Sequence, residues 1–180
     1  LRRGLKIQFK LIQREVPYLA QANREAFVDS LGNAFFIAFS SAKHGSSGRE
    51  LALFTRLNRQ GLLAEIEKRQ AQLAALPGPQ QEVADQVRGL TQRLSSMSLT
   101  AEERKNLKGK KEKLEQELYR LLPDLEPRIV EAEQVAQALP ADSALIEFQR
   151  YQSFDGTKAR GQQWGAARYL ALVLKPNSEI

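Results

Sequence analysis

The side chains that most often carry catalysis are scarce in this chain of 180 residues. It contains no cysteine and a single histidine, His44. Without cysteine the chain has no thiol nucleophile, no disulfide and no thiolate zinc site, and one histidine cannot build a metal site from several imidazoles. We therefore predict no catalytic, no cofactor-binding and no metal-binding residue, and no cofactor.

His44 is the one candidate for acid–base catalysis, because an imidazole changes its charge near neutral pH. Such a base needs a nucleophile within reach, and the sequence offers no thiol and no recognisable nucleophile elbow. The histidine lies in KHGSSG, residues 43–48, and a glycine–serine loop of this kind is an ordinary place for an exposed histidine. We interpret His44 as a loop residue and predict that this chain is not an enzyme.

The charge balance gives weak support for a nucleic-acid partner. The chain carries 27 Lys and Arg against 21 Asp and Glu, a net charge of +6. A basic surplus can attract nucleic acid or anionic lipid. Most basic residues are interleaved with acidic ones, however, and the one dense basic run, residues 108–111, has no aromatic neighbour to stack on bases. A basic nucleic-acid-binding helical hairpin is therefore the least favoured alternative.

The hydropathy pattern favours a cytoplasmic chain without a membrane partner. No apolar run approaches the ~20 residues that a membrane span needs. The N-terminal segment, LRRGLK, leads into charged sequence with no signal-peptide core. Export is therefore not indicated.

Residues 47–122 are predicted to be almost entirely helical. Apolar residues recur there mostly every three or four positions, in three runs. The runs consist of Leu51, Phe54, Leu57, Leu62, Ile66, Leu73 and Leu76; of Val83, Val87, Leu90, Leu94 and Met97; and of Leu107, Leu114, Leu118 and Leu121. This spacing places each run on one narrow stripe of a helix, which needs a partner helix to bury it. We predict a long antiparallel helical hairpin or coiled-coil bundle that acts as a spacer.

Local signals predict the ends of these helices. Residues 47–50 (SGRE) and 100–103 (TAEE) both fit the capping box, in which a hydroxyl and a carboxylate satisfy backbone donors reciprocally. The PGP sequence at residues 77–79 and Pro123 should end helices, because proline lacks the amide donor and disfavours helical geometry before it. We predict one unbroken helix over residues 48–76, about 40 Å long.

The flanking segments are predicted to be a helical start and an α/β end. The alternation over residues 5–11 would suit a strand, but the spacing of Leu5, Phe9 and Ile12 suits a helix, which we favour because helices follow. Pro17 should end this first helix, and Asn23 should cap a second that continues to about Ser40. After residue 128 we predict a short amphipathic helix at residues 130–139 and strands at residues 145–151 and 168–174, with Ile180 opening a third strand.

The strand at residues 168–174 is apolar on both faces, which is typical of a sheet covered on both sides. A two-stranded hairpin alone is marginal in water. We therefore expect the chain to be a piece of a longer protein that ends just inside a second domain.

Several segments resemble one bacterial protein family. Residues 139–151 (LPADSALIEFQRY), Trp164-Gly165 and residues 168–177 (RYLALVLKPN) resemble the opening of the CHAT domain, a caspase-like domain found behind tetratricopeptide repeats. Residues 51–63 (LALFTRLNRQGLL) and 118–123 (LYRLLP) resemble the helical connector of such proteins. The resemblance covers residues 47–180.

The resemblance implies three parts: the end of an upstream repeat array at residues 1–46, a helical connector at 47–128, and the truncated start of an α/β caspase-like domain at 129–180. The family is similar to cysteine peptidases that use a histidine and a cysteine lying later in the domain, so no catalytic residue is carried over. The implied role is non-catalytic: the chain contacts the repeats, the rest of the domain and protein partners. A self-associating coiled-coil scaffold is the alternative.

Overall fold

The structure, a computed structural model, describes residues 1–96, 98–177 and 180 and is mainly helical, with 60% of the chain in helices. The helices are α1 (Arg2–Glu15), α2 (Gln21–Ser30), α3 (Ala34–Ser40), α4 (Ser46–Arg59), α5 (Leu62–Ala74), α6 (Gln80–Leu94), α7 (Ala101–Leu121) and α8 (Ala132–Ala138). Short 3-10 helices cover Val16–Tyr18 and Ser41–Lys43, and the strands are β1 (Leu145–Phe154) and β2 (Trp164–Leu174). The predicted class, helices followed by a short helix and a β-hairpin, is confirmed at this level.

The chain packs as two compact units that interleave along the sequence. Unit 1 comprises Leu1–Lys10, Leu31–Gln60 and Arg128–Ile180, and unit 2 comprises Leu11–Ser30 and Gly61–Pro127. Unit 1 therefore holds α3, α4, α8 and both strands, whereas unit 2 holds α2, α5, α6 and α7. The sequence instead predicts three consecutive domains, at residues 1–46, 47–128 and 129–180. That domain organisation stays a prediction.

Unit 1 is built around buried aromatic rings. The ring of Phe9 stacks on that of Phe35 with their centroids 5.4 Å apart, and it meets the ring of Phe54 edge-on at 5.9 Å. All three rings are buried. Offset and edge-on arrangements of this kind add about 0.5–1.5 kcal/mol beyond area burial, so they fix how these helices pack as well as stabilising the core.

A buried asparagine ties the segment before α8 to α4. The side-chain amide of Asn58 donates to the carbonyl oxygens of Phe54 and Val130, both at 2.8 Å, and its oxygen accepts from the Val130 N–H at 2.8 Å. A buried amide needs hydrogen-bond partners for both its donor group and its acceptor. Asn58 finds them partly in the backbone of the irregular segment before α8, and these bonds hold that segment in place.

In unit 2, α6 and α7 form an antiparallel hairpin. Val83, near the start of α6, clusters with Leu118 and Leu122 at the end of α7. At the other end, the Arg104 guanidinium donates to the carbonyl oxygens of Leu94 and Ser96 at 2.8 and 3.0 Å. The second and third apolar runs therefore pack on one another in part, but Leu121 of the third run is 42% exposed, and Met97 lies outside the described residues. The finer prediction of a coiled coil stays a prediction.

Three predicted helix boundaries are confirmed. The Thr100 hydroxyl accepts from the Glu103 N–H at 3.2 Å, and the Glu103 carboxylate accepts from the Thr100 N–H at 2.9 Å, which completes a capping box at the start of α7. The Thr100 hydroxyl also donates to the Glu103 carboxylate at 2.7 Å, which lowers the pKa of Glu103. The helix breaks expected from the prolines occur between α5 and α6 and directly after α7.

The prediction of one unbroken helix over residues 48–76 is wrong. The helix ends at Arg59, Gln60 is extended with ψ 126°, and Gly61 has φ +68° before α5 begins at Leu62. Glycine adopts this left-handed conformation without the steric cost of a Cβ, which is why helices commonly end there. The two halves belong to different units, so the first apolar run is not one stripe.

Four smaller predictions are also wrong. Ser47 does not cap a helix, because α4 begins at Ser46 after Gly45, whose φ is +82°. Asn23 lies inside α2, and the helix predicted to reach Ser40 breaks after Ser30 at Gly32, whose φ is +83°. At Gly32 the positive φ interrupts a pattern that hydropathy alone would continue. Ile180 is not in a strand.

Candidate protein-interaction surface

The two strands form an antiparallel hairpin whose alternation separates two faces. The pairs Ile146–Val173, Phe148–Ala171 and Arg150–Tyr169 are direct neighbours across the hairpin. The intervening pairs, which include Glu147–Leu172, project to the opposite side. We call the side with Ile146 and Phe148 the outer face and the side with Leu172 the inner face.

The inner face is packed on the helices of unit 1. Leu172 and Leu174 are buried, and the ring of Tyr151 lies 6.0 Å from that of Phe39 in α3. At the start of β2, the Trp164 ring meets Phe36 of the same helix edge-on at 6.4 Å. The apolar residues of this face are therefore part of the core of unit 1.

Polar contacts fix the hairpin at two further points. The Arg56 guanidinium of α4 donates to the Glu147 carboxylate at 2.7 Å and to the Gln149 side-chain oxygen at 2.9 Å. The backbone N–H of Phe154 donates to the hydroxyl of Ser40 at 2.8 Å. These bonds lie at opposite ends of β1, so they hold the strand in one register on α3 and α4.

The outer face is exposed and, apart from Arg150 opposite Tyr169, its first three residue pairs are apolar. Its large side chains are 54% (Ile146), 65% (Phe148), 79% (Tyr169) and 41% (Val173) exposed. Cross-strand neighbours on one face of an antiparallel pair have Cβ atoms about 4.5–5.5 Å apart, so these residues and Ala171 form one continuous strip. A contiguous exposed apolar strip, unlike scattered apolar residues, is typical of an interaction site.

The hairpin also presents open edges. Among the described residues β1 pairs only with β2, so each strand has one edge whose backbone N–H and C=O groups lack a neighbouring strand. Such an edge can pair with another strand. An apolar face beside an open edge is the arrangement that an added strand and covering helices would complete.

The residues singled out in the sequence belong to different units. His44 is exposed at the end of the Ser41–Lys43 helix in unit 1, in the wall of an apolar cavity of about 340 Å³. The basic run at residues 108–111 lies within α7 of unit 2, and Lys111 donates to the buried Glu115 carboxylate at 2.6 Å.

One polar network in unit 2 gives no signal in the sequence. The buried Arg24 guanidinium donates to Gln70 at 2.7 Å and to the Leu19 carbonyl oxygen at 3.1 Å, and it lies 4.7 Å from the centre of the Tyr119 ring. Burial raises the pKa of Tyr119, an effect that the Arg24 charge opposes. Gln70 in turn donates to the Pro17 carbonyl oxygen at 2.7 Å. This network joins α2, α5 and α7 and is a structural feature of the core.

Searches for similarity find no protein family, no curated protein and no solved structure that matches the chain. Within the described part of the chain no helix is long and apolar enough to cross a membrane. The same residues contain no group of three His, Cys, Asp or Glu side chains placed to hold a metal ion.

Proposed function

We propose that this chain is a non-catalytic helical connector whose hairpin supplies the first strands of a caspase-like α/β domain. Its role is to fix the geometry between that domain and an upstream array that binds protein partners. The observation that carries the proposal is the exposed outer face, Ile146, Phe148, Tyr169, Ala171 and Val173, on a hairpin that is firmly held on its inner face.

The proposed occupant of this face is the rest of the α/β domain. Exposed apolar area costs about 25 cal/mol per Å² relative to burial, so a strip of five neighbouring apolar residues favours a permanent cover. In an α/β sheet, helices cover both faces and additional strands pair with the edges. The residues on the outer face and those at residues 168–177 are also the ones that resemble the opening of a CHAT domain.

The absence of cysteine from the sequence supports a non-catalytic role for this chain within that family. A thiol peptidase attacks with a thiolate, and no histidine can replace the missing sulfur. Incubation of the chain with a mixed peptide library should therefore give no cleavage above a buffer control. Reproducible cleavage that survives repurification would contradict this part of the proposal.

The most direct test is the coding sequence downstream of Ile180. The proposal requires further strands and, later, a histidine and a cysteine that each follow an apolar strand. A stop codon directly after Ile180, or a continuation without any strand pattern, would overturn it.

A second test separates the proposal from a self-associating scaffold. Phe148→Lys places a charge on the outer face, so it should lower oligomeric mass in light scattering if the isolated chain associates through that face. Leu121→Lys, at an exposed site on α7, is the matched control. A dimer that persists in Phe148→Lys and dissociates in Leu121→Lys would favour the coiled-coil scaffold.

A further inference from the structure

A cavity of about 250 Å³ lies in unit 1 where β1, the β1–β2 loop and the end of α3 meet. A second cavity, of about 340 Å³, adjoins it. The two share wall residues Ser40, Lys43, Phe154 and Asp155. This place is distinct from the outer face of the hairpin, and the function proposed above makes no use of it.

The wall of the first cavity carries a surplus of positive charge. Three cations, Lys43, Lys158 and Arg168, line it against one carboxylate, Asp155, which leaves a surplus of two charges. None of these cations takes part in an ion pair among the described residues. Cations that converge on a concave surface without paired carboxylates focus a positive potential into it.

The single carboxylate is held within its own loop. Asp155 accepts from the Thr157 N–H at 3.0 Å and from the Thr157 hydroxyl at 2.6 Å. Those bonds, helped by the nearby charges of Lys43 and Lys158, hold the pKa of Asp155 below its usual range. The carboxylate therefore shapes the loop and is ionised at neutral pH, and it forms no ion pair with the three cations of the wall.

The backbone beside the cavity contains a β-bulge in the hairpin. The strand register shifts between Gln152 and Phe154, where Ser153 of β1 lies opposite both Gly165 and Ala166, so β2 carries the extra residue of the β-bulge. The Ser153 hydroxyl donates to the Ala166 carbonyl oxygen at 3.0 Å, and a Cβ on Gly165 would lie 2.6 Å from that hydroxyl. A larger residue at position 165 would therefore require the Ser153 side chain to move. Bulges frequently re-aim side chains beside binding sites.

The two cavities differ in chemistry. Beside the cation-lined cavity, the second one has an almost wholly apolar surface, with Ile37 and Phe154 in its wall. The shared wall also includes the buried Ser40, whose hydroxyl accepts from the Phe154 N–H and keeps its own proton to donate. A ligand that fills both cavities therefore needs an anionic end and an apolar end, and the small volumes limit its size.

We propose that unit 1 binds a small phosphate monoester that carries an aromatic or other apolar group. A monoester is close to doubly charged at pH 7.5, since its second pKa is about 6. Two lysines and an arginine match such a dianion, because lysine acts as a point charge and the arginine fork donates two bonds to phosphate oxygens. The apolar group would occupy the cavity beside Ile37 and Phe154.

The test uses the full chain and phenyl phosphate, with inorganic phosphate for comparison, at low ionic strength. Amide NMR resonances of Ser153, Asp155 and Gly165 should shift with saturation, at a Kd of about 1 mM or lower. Inorganic phosphate should bind more weakly. Arg168→Gln and Lys158→Gln should each weaken binding of phenyl phosphate by about tenfold, the loss expected for one charge-assisted hydrogen bond. Ile37→Ala should weaken phenyl phosphate more than inorganic phosphate.

Arg160→Gln is the matched control, since Arg160 is exposed in the same loop but outside the cavity wall. It removes the same charge and should change the Kd by less than about twofold. Equal weakening by Arg160→Gln and Arg168→Gln would show long-range attraction alone and would overturn the site. Absence of saturable shifts at about 10 mM phenyl phosphate would overturn it as well.

Discussion

The apolar stripe between α6 and α7 and the outer face of the hairpin are composed of similar residues but have opposite environments. Val83, Leu118 and Leu122 bury one another in unit 2. Phe148 and Tyr169 on the outer face of unit 1 are exposed. Residue type and periodicity predict both apolar surfaces equally well. Only the structure shows that the α6–α7 stripe is buried by other residues of the chain and that the outer face is not. An exposed, contiguous apolar surface is a candidate interaction site.

The same contrast occurs within β2 alone. Leu172 and Leu174 are buried, while the residues between and before them, Val173 and Tyr169, are exposed. Alternation places neighbouring residues of a strand on opposite faces, and in this strand both faces are apolar. Substitutions that compare the two faces, or compare either with the helical stripe, therefore test the interpretation directly.

The largest effect is expected for Leu172→Lys. Leu172 is 3% exposed, so the substitution would bury an unpaired charge in the core of unit 1 and should lower the free energy of unfolding by about 4 kcal/mol or more. Urea unfolding followed by fluorescence of Trp164, the only tryptophan, measures this loss. The volume-conserving control Leu172→Met should cost less than about 1.5 kcal/mol. Equal midpoints for the two variants would show that the inner face is not a core.

The next largest effect is expected for Leu118→Ala in the helical stripe. Leu118 is 6% exposed, and truncation leaves a cavity between α6 and α7 that should cost about 2–5 kcal/mol. Leu121→Ala is the matched control on the same helix, because Leu121 is 42% exposed and its loss should change stability by no more than about 0.5 kcal/mol. Urea unfolding followed by far-UV circular dichroism compares them. Similar losses at both sites would contradict the hairpin.

Much of the helical part follows from the sequence because local chemistry determines it. The Thr100 cap and the helix breaks around Pro79 and Pro123 depend on residues within a few positions of each boundary. The main errors occur where a glycine determines the end of a helix. Gly32 and Gly61 adopt a positive φ, and helices that the apolar spacing would extend end just before these residues. The spacing of apolar residues carries no information about the backbone dihedral angles of a glycine.

The candidate surface follows from the sequence only in part. Alternation correctly places Ile146 with Phe148 and places Tyr169 with Val173. It does not say which face the helices cover, because both faces of β2 are apolar. That choice depends on distant contacts, such as Arg56 of α4 with Glu147. The cation-lined cavity depends on contacts more than a hundred residues apart, such as Ser40 with Phe154, and no local pattern encodes them.

A smaller effect is expected at the cap of α7, which sets where the helical stripe begins. Thr100→Ala removes the hydroxyl that satisfies the Glu103 N–H and should cost about 1 kcal/mol in urea unfolding. Thr100→Ser keeps the hydroxyl and should retain most of the stability. A Thr100→Ala variant as stable as the native chain would show that the cap does not hold this end of the hairpin.

The same cap predicts a pH dependence. The folded-state pKa of Glu103 lies below its ordinary value of 4.5, so the contribution of the carboxylate is present above that value and is lost as pH falls through the folded pKa. The difference between the native chain and Thr100→Ala should therefore shrink on acidification below pH 4.5. A difference that stays constant across this range would exclude a charged partner in the cap.

The smallest effect on stability is expected for Tyr169→Lys. This variant compares the outer face of β2 directly with the inner face. It introduces the same charged side chain as Leu172→Lys three positions away on the same strand, but on the outer face. Because Tyr169 is exposed, the substitution should change the free energy of unfolding by no more than about 0.5 kcal/mol. The added charge should instead lower the binding of a hydrophobic dye and any association seen by light scattering, since it interrupts the apolar strip. Substantial unfolding by Tyr169→Lys would mean that the outer face is already covered, and the connector proposal would then lose the observation that carries it.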